Sequence, residues 1–285
     1  MEAEYNEHML NVDLHCHSTI SDGLLTPAEI ATRAHRNGVD AWALTDHDEM
    51  GGIDEARATA KQLGMRYVPG VEISVTWSGR TIHIVGLQID ETNPQLIQGL
   101  YDTRHGREKR AQQMGDMLAA VGIPNAFEGA LRYVGNPKLI SRTHFARYLV
   151  ESGVCKDINE VFRKYLVEGK PGYIPHEWSK LADCLRWIHD ARGVAVVAHP
   201  GRYNLNQLEM STFLEEFQQL GGVGIEVVTG SHTPEQYLEY AKVARRYGFL
   251  ASRGSDFHAP NESRTELGAL PPLPSDLTPV WRDWF

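Results

Sequence analysis

Strands and helices alternate over both ends of this 285-residue chain, and that order limits the fold more than any other feature. Thr26 is placed to cap a helix, Pro27 fits its first turn, and Gly38 closes the segment "PAEIATRAHRNG" before the buried strand "VDAWALT". "GGIDEARATAKQLG" reads as a second helix stopped at Gly64, and "MRYVPGVEIS" leads into another strand. "ISVTWSGRTIHIVGL" has the pattern of a hairpin turning at Ser78-Gly79. In the second half, Ser179 is placed to cap "KLADCLRWIHDARG" ahead of "VAVVAH"; "NQLEMSTFLEEFQQLGG" precedes "VGIEVV". Thr233-Pro234 then opens "EQYLEYAKVARRYG" before "FLASRGSD". Such alternation predicts a parallel sheet, open or closed into a barrel.

Between about residues 96 and 173 the alternation stops. "LYDTRHGREKRAQQMGDMLAAVG", "ISRTHFARYLVESG" and "INEVFRKYLVEG" all have helical character. The expected organisation is an α/β unit made of 1–95 and 174–285, with a mainly helical insertion at 96–173.

The hydrophobic share, 42%, supports a sizeable core, and no apolar run approaches the ~18 residues of a membrane span. "MEAEYNEHML" is acidic and lacks the basic-then-apolar order of a secretory signal. Cys16, Cys155 and Cys184 are odd in number without CxxC spacing, so neither a disulfide framework nor a zinc ribbon is indicated. A cytoplasmic protein with no membrane association is expected. A net charge of −9 argues against a generic nucleic-acid coat. Bound divalent cations would offset that charge and still draw phosphates into a metal-lined pit.

The first strand carries the chemistry. In "VDLHCHSTISDG", Val12, Leu14 and Cys16 alternate with Asp13, His15 and His17, which gives one apolar face and one bearing two imidazoles. Asp22 follows in the loop. "ALTDHD" places His47 after the second strand, "PGVEIS" places Glu72 at the third, and "TIHIV" places His83 in the hairpin. "VVAHPGR" sets His199, and "RGSDFHAP" sets Asp256 and His258, beyond later strands. In an α/β barrel such positions converge on one mouth. One HxH alone arises by chance, but six of the thirteen histidines occupy comparable strand ends. Imidazole and carboxylate together suit zinc, manganese or iron, and nine groups are too many for one ion. Two or three ions bridged by a carboxylate would use them, and cations about 3.5–4 Å apart polarise phosphoryl oxygens and supply hydroxide at neutral pH.

"DLHCHSTISDG", "LTDHD", "GVEIS", "IHIVG", "AHPGR" and "GSDFHA" together resemble the motifs of the PHP superfamily, named for polymerase and histidinol phosphatase, in the family's order from about residue 12 to 260. The resemblance implies an α/β fold, a distorted (β/α)7 barrel of the PHP type, holding two or three divalent metals. Carried over, the ligand pattern gives His15, His17, Glu72 and Asp256 to a first ion and Asp22, His47 and His258 to a second. Glu72 would bridge to a third, completed by His83 and His199. Some trinuclear relatives have histidine where this chain has Asp22, and the carboxylate favours Mn2+ over Zn2+ or Fe2+. The helical insertion, with "GNPKLISRTHFARYLV", "EGKPGYIP" and "AHPGRY", is similar to the 3',5'-nucleoside bisphosphate phosphatase and ribonuclease AM branch. That branch implies removal of a 3'-phosphate from a nucleoside 3',5'-bisphosphate (pAp to AMP plus phosphate) and 5'-to-3' degradation of short 5'-phosphorylated RNA. No obligate protein partner is indicated.

No serine or cysteine has a nucleophile's setting, so the nucleophile falls to a metal-bridging hydroxide, with Cys16 as core packing. Asp13, Asp48 and Glu226 could orient ligands or cap strands, and the sequence does not separate the two. Arg104 and Arg107, three apart, would share a helix face and grip a phosphate or form a solvated surface, whereas Lys109 and Arg110 read as solvent-facing. Asn136, Lys138, Arg142 and His144 precede an apolar helix, and Arg142 offers a fork that could make a structural ion pair or, as the resemblance implies, hold a terminal phosphate. Lys170 in a Gly-Pro loop and Arg202 just after His199 extend the expected substrate clamp, and His232 beyond the Glu226 strand could contact phosphate or, equally, open the next helix. Tyr173 and Phe257 could stack on a base or simply pack. Rival functions are a small-metabolite phosphatase of the histidinol-phosphate type, a metal-dependent amidohydrolase and a non-enzymatic metal-binding regulator.

Overall fold

The computed structural model describes residues 10–285, so the acidic stretch weighed above against a leader falls, Leu10 apart, outside the described residues. Seven strands form one sheet: β1 (Val12–Asp13), β2 (Ala41–Leu44), β3 (Arg66–Trp77), β4 (Arg80–Leu87), then β6 (Val194–Val197), β7 (Gly224–Thr229) and β8 (Leu250–Gly254). A short strand between them in sequence, β5 (Ser179–Lys180), pairs parallel with the far end of β3. Neighbours are parallel except that β4 runs against both β3 and β6. β1 also meets β8: the Leu14 amide donates to the Arg253 carbonyl at 3.0 Å and the Asp256 amide to the His15 carbonyl at 2.8 Å. The sheet is therefore a nearly closed barrel of mixed α/β type.

The antiparallel strand comes from the expected hairpin. Ser78 and Gly79 have φ of 47° and 74°, and Trp77 pairs with Arg80, a two-residue turn whose twist matches the strands it joins. Outside the barrel lie α1 (Pro27–Arg36) and α2 (Ile53–Gln62). Thr26 and Glu29 close α1 with reciprocal bonds to the backbone, satisfying amides that a helix start leaves unpaired.

Between β4 and β5 come α3 (Pro94–Arg104), α4 (Arg107–Ala120), α5 (Ala126–Leu131), α6 (Arg142–Glu151) and α7 (Ile158–Val161), which runs on as a π-turn over Phe162–Leu166. These helices bury a core of their own that includes Met114, Leu118, Phe145, Leu149 and Leu166. After β5 follow α8 (Leu181–Asp190), α9 (Gln207–Gln219) and α10 (Pro234–Tyr247), whose apolar faces pack with the sheet. No helix among the described residues is long and apolar enough to cross a membrane.

Two local expectations fail. The single helix expected from Leu100 to Gly122 is two, because His105 is extended and Gly106 takes φ 95°, so Arg104 ends α3 and Arg107 begins α4 on a different face. Ser179 does not cap α8. It lies in β5 and its hydroxyl donates to the Ser74 carbonyl at 2.8 Å, while α8 begins after Lys180 with no side-chain cap.

Candidate metal centre and anion pocket

Glu72 sits fully buried in the middle of β3, where His47 pairs with it as β2 ends. Five imidazoles surround its carboxylate. Oε2 lies 3.3 Å from Nε2 of His15 and of His17 and 2.9 Å from His47 Nδ1, while Oε1 lies 3.0 Å from His83 Nδ1 and 2.9 Å from His199 Nε2. Burial works against charge on this group, yet the imidazoles of His47, His83 and His15 hold its carboxyl well below the usual range. On one side, Asp256 Oδ1 is 3.4 Å from His17 Nε2 and 3.6 Å from His258 Nδ1. On another, Asp22 Oδ1 is 3.4 Å from His258 Nε2 and 3.8 Å from His47 Nε2.

All nine residues singled out converge, although Glu72 and His83 lie within β3 and β4 rather than at their ends, and they form overlapping groups with the spacing of cation sites: His17-Asp22-His47-His258, His15-Glu72-His199, His15-His17-Asp256 and His47-Glu72-His83. The donor set fits divalent ions on a further observation. Among the described residues, buried His17 Nδ1, His47 Nδ1, His83 Nδ1, His199 Nδ1, Glu72 Oε2 and Asp256 Oδ1 have no hydrogen-bond partner, an unfavourable arrangement unless something else satisfies them. The backbone is strained at the same place: His199 and Asp256 take φ of 26° and 54°, a region non-glycine residues seldom enter. Gly254 lets β8 pass this close, since a Cβ there would stand 2.3 Å from that of His15.

The acids left ambiguous by the sequence separate cleanly. Glu226 Oε1 lies 2.7 Å from His15 Nδ1 and Oε2 accepts from the His199 amide at 2.6 Å. It therefore fixes the His15 ring with Nε2 turned to the cluster, as carboxylates behind metal-binding histidines do. Asp13 instead accepts from the Ser255 and Gly268 amides and ties strand ends. Asp48 accepts from the Ser74 amide and hydroxyl and pairs with Arg107. Asp46, unremarked in the sequence, holds the loop after β1 through the hydroxyls of Ser18 and Ser21.

The expected clamp residues scatter more. A cavity of about 90 Å³ beside the cluster is lined by Asp22, His47, His83 and His258 and by Arg107, Arg110, Arg142 and Arg202. Arg107 is buried, stacked 4.3 Å over Trp178. Arg202 pairs with Asp256 at 2.9 Å. Arg110 does not face solvent: burial, with Arg142 and Arg107 nearby, pushes its guanidinium down to about 9. Arg142 donates to the Leu166 carbonyl at 3.2 Å, and burial lowers it too. Among the described residues neither Arg110 nor Arg142 has a carboxylate at ion-pair distance, so two partly buried cations share one small cavity without a counter-ion.

Other candidates lie elsewhere. Arg104 pairs with Glu49 at 3.2 Å and does not line the cavity. Asn136 caps a turn by accepting from the Lys138 amide, and the exposed Lys138 ammonium lies over Tyr101. Lys170 is exposed in its loop and does not line the cavity. His232 Nε2 accepts from the Gly201 amide at 2.9 Å, leaving Nδ1–H for the Val227 carbonyl, so its ring props the loop of Arg202 rather than offering an anion contact. His144 is buried and accepts from the Ser141 amide at 2.9 Å. Ser141, which sequence reading missed, donates to Asp22 Oδ2 at 3.1 Å. Tyr173 lies beside Arg142, and Phe257 is core.

The PHP domain family model matches residues 13–250. A 3',5'-nucleoside bisphosphate phosphatase of Chromobacterium violaceum is 50% identical over 275 residues, 96% of each chain. The 5'-3' exoribonuclease Rnm of Escherichia coli is 40% identical over 95% of this chain and 93% of that one. Among solved structures, an amidohydrolase from Chromobacterium violaceum with bound sulfate and no metal superposes with a TM-score of 0.93, at 50% identity and 95% coverage of both chains.

Proposed function

The chain belongs to the PHP domain family, and from that premise we propose that it is a metal-dependent phosphoesterase removing the 3'-phosphate of nucleoside 3',5'-bisphosphates, with short 5'-phosphorylated RNA as a second substrate. The observation that carries the substrate class is the pairing of Arg110 and Arg142 in a cavity that also exposes Asp22, His47, His83 and His258. A terminal phosphate is the counter-ion those guanidiniums lack, and it would lie within one nucleotide of the metal cluster.

His15, His17, Glu72 and Asp256 would hold one ion, Asp22, His47 and His258 a second, and Glu72 with His83 and His199 a third. Bound divalent ions supply Lewis acidity toward a phosphoryl oxygen and activate water. The Asp22 carboxylate makes manganese the favoured metal. The chain's own residues do the rest. Glu226 and Ser141 hold His15 and Asp22 in register, and Arg110 and Arg142 bind the second phosphate. Arg107, braced by Asp48 and Trp178, closes the cavity wall. In this proposal residues 96–173 act as the clamp over a barrel of 1–95 and 174–285. A cytoplasmic setting suits three buried free cysteines.

A histidinol-phosphate-type substrate or an amide would leave Arg110 and Arg142 without an anion, and a regulator would need neither. The test is phosphate release from pAp, AMP, histidinol phosphate and a 5'-phosphorylated short RNA with manganese present. Turnover of pAp well above AMP and histidinol phosphate is expected; preference for histidinol phosphate would overturn the proposal.

A further inference from the structure

A second cavity, about 380 Å³, borders the same cluster, with Asp256 and His258 in its lining. It shares Thr143, Phe162, Arg202 and His258 with the arginine pocket, so the two adjoin, and the candidate ligand His258 belongs to both linings. Its walls differ in kind. Ile158 and Phe162 give it an apolar side from the helical segment, and the loops after β7 and β8 give it Ser231 and Arg264. Arg264 is exposed, and among the described residues it has no carboxylate at ion-pair distance. The Ser231 hydroxyl oxygen is buried with no hydrogen-bond partner among the described residues. Glu262, the one glutamate in the lining, is already neutralised by Arg147 at 2.9 Å, with both its oxygens accepting from that guanidinium. The cleft therefore offers an apolar plate, an unsatisfied donor and an unpaired cation, a combination suited to a base and a phosphate.

We infer that this cleft is the subsite for the nucleotide on the 3' side of the scissile phosphate, with Arg264 and Ser231 holding that nucleotide's own 3'-phosphate. The inference rests on the proposal that the terminal phosphate binds Arg110 and Arg142. A chain anchored there and cleaved at the cluster must continue past Asp256 and His258, which is where the cleft opens. A mononucleotide with phosphates at 3' and 5' ends before reaching it. Arg264 is thus a specificity residue that separates RNA from bisphosphate.

The experiment compares pAp with the 5'-phosphorylated trinucleotide pApApA in the full chain with manganese, for the unaltered protein, Arg264→Ala and Arg264→Lys. Arg264→Ala is expected to raise KM for the trinucleotide about tenfold, the loss of one charged contact, with pAp unchanged and the lysine variant intermediate. An equal loss on both substrates would place the bisphosphate's own base in the cleft and overturn the inference, as would no loss on either. Turnover of pAp but not of pApApA by the unaltered protein would overturn it while leaving the bisphosphatase proposal standing. Turnover of neither would remove that proposal and this inference with it.

Discussion

Ser141 donates its hydroxyl hydrogen to Asp22 Oδ2 at 3.1 Å, joining residues 119 apart in sequence. Ser141 caps α6 in the helical segment and Asp22 is a candidate metal ligand in the loop after β1. His144 completes the link by accepting from the Ser141 amide, and burial pushes its imidazole down to about 4, so the ring is neutral and able to accept. The helical segment thus touches the cluster itself, as well as walling the cavity beside it.

Ser141→Ala should weaken manganese binding about 10–100-fold at the Asp22 site, the usual cost of removing a partner behind a ligand. Activity should return at saturating manganese, because the ligand Asp22 itself is retained. Metal titration followed by activity checks this; an unchanged metal affinity would show that the bond does not tune Asp22.

Glu72→Ala should abolish turnover, by more than about a thousandfold, and lower bound metal measured by elemental analysis. Glu72 matters most because both its oxygens face imidazoles from separate candidate sites. Circular dichroism should show the barrel intact, since the variant only removes charge from a cluster that β1, β3, β4 and β6 already position. Full metal occupancy with normal turnover would defeat the assignment.

How much of this was legible follows from what each residue displays in isolation. The nine groups could be read because histidine and carboxylate are rare in and just beyond buried strands; seven follow strand ends as expected, whereas Glu72 and His83 point into the cluster from within β3 and β4. Glu226 could not, because its partner His15 lies 211 residues away and an acid on a strand reads equally as a cap. Arg110 was misplaced for a different reason. Its solvent-facing assignment assumed one continuous helix, and the left-handed Gly106 turns the face of α4 that carries Arg107 and Arg110 toward the cluster. His232 shows the reverse: a ring well placed by sequence whose two nitrogens are both committed to backbone.

Arg142→Ala should raise KM for pAp by at least about tenfold with kcat little changed, the pattern of lost uniform binding. Arg110→Ala should do the same, since both cations lack another anion. Hydrolysis of a simple aryl phosphate, which has no second phosphate to hold, should be nearly untouched. Equal damage to both substrates would mean that these arginines hold the helical segment together instead.

No protein residue should become phosphorylated during turnover. Cys16 lies on the apolar face of its strand, with Sγ accepting from Trp42 Nε1 at 3.1 Å, and burial with Asp13 nearby drives its thiol far above the usual range. The hydroxyls nearest the cluster are committed as well: Ser18 and Ser21 donate to Asp46, Ser74 to Asp48 and Ser141 to Asp22. Among the described residues none of these side chains is a free, activated nucleophile, and the expected attack on phosphorus is therefore by water. A single displacement by water inverts the phosphorus centre, whereas two displacements through a phospho-enzyme retain its configuration. An ester made chiral at phosphorus with sulfur and oxygen isotopes, hydrolysed in isotopically labelled water, separates the two, and inversion is expected. Retention, or phosphate trapped on the protein after acid quench, would sink the single-displacement route while leaving the nine clustered ligands where they are.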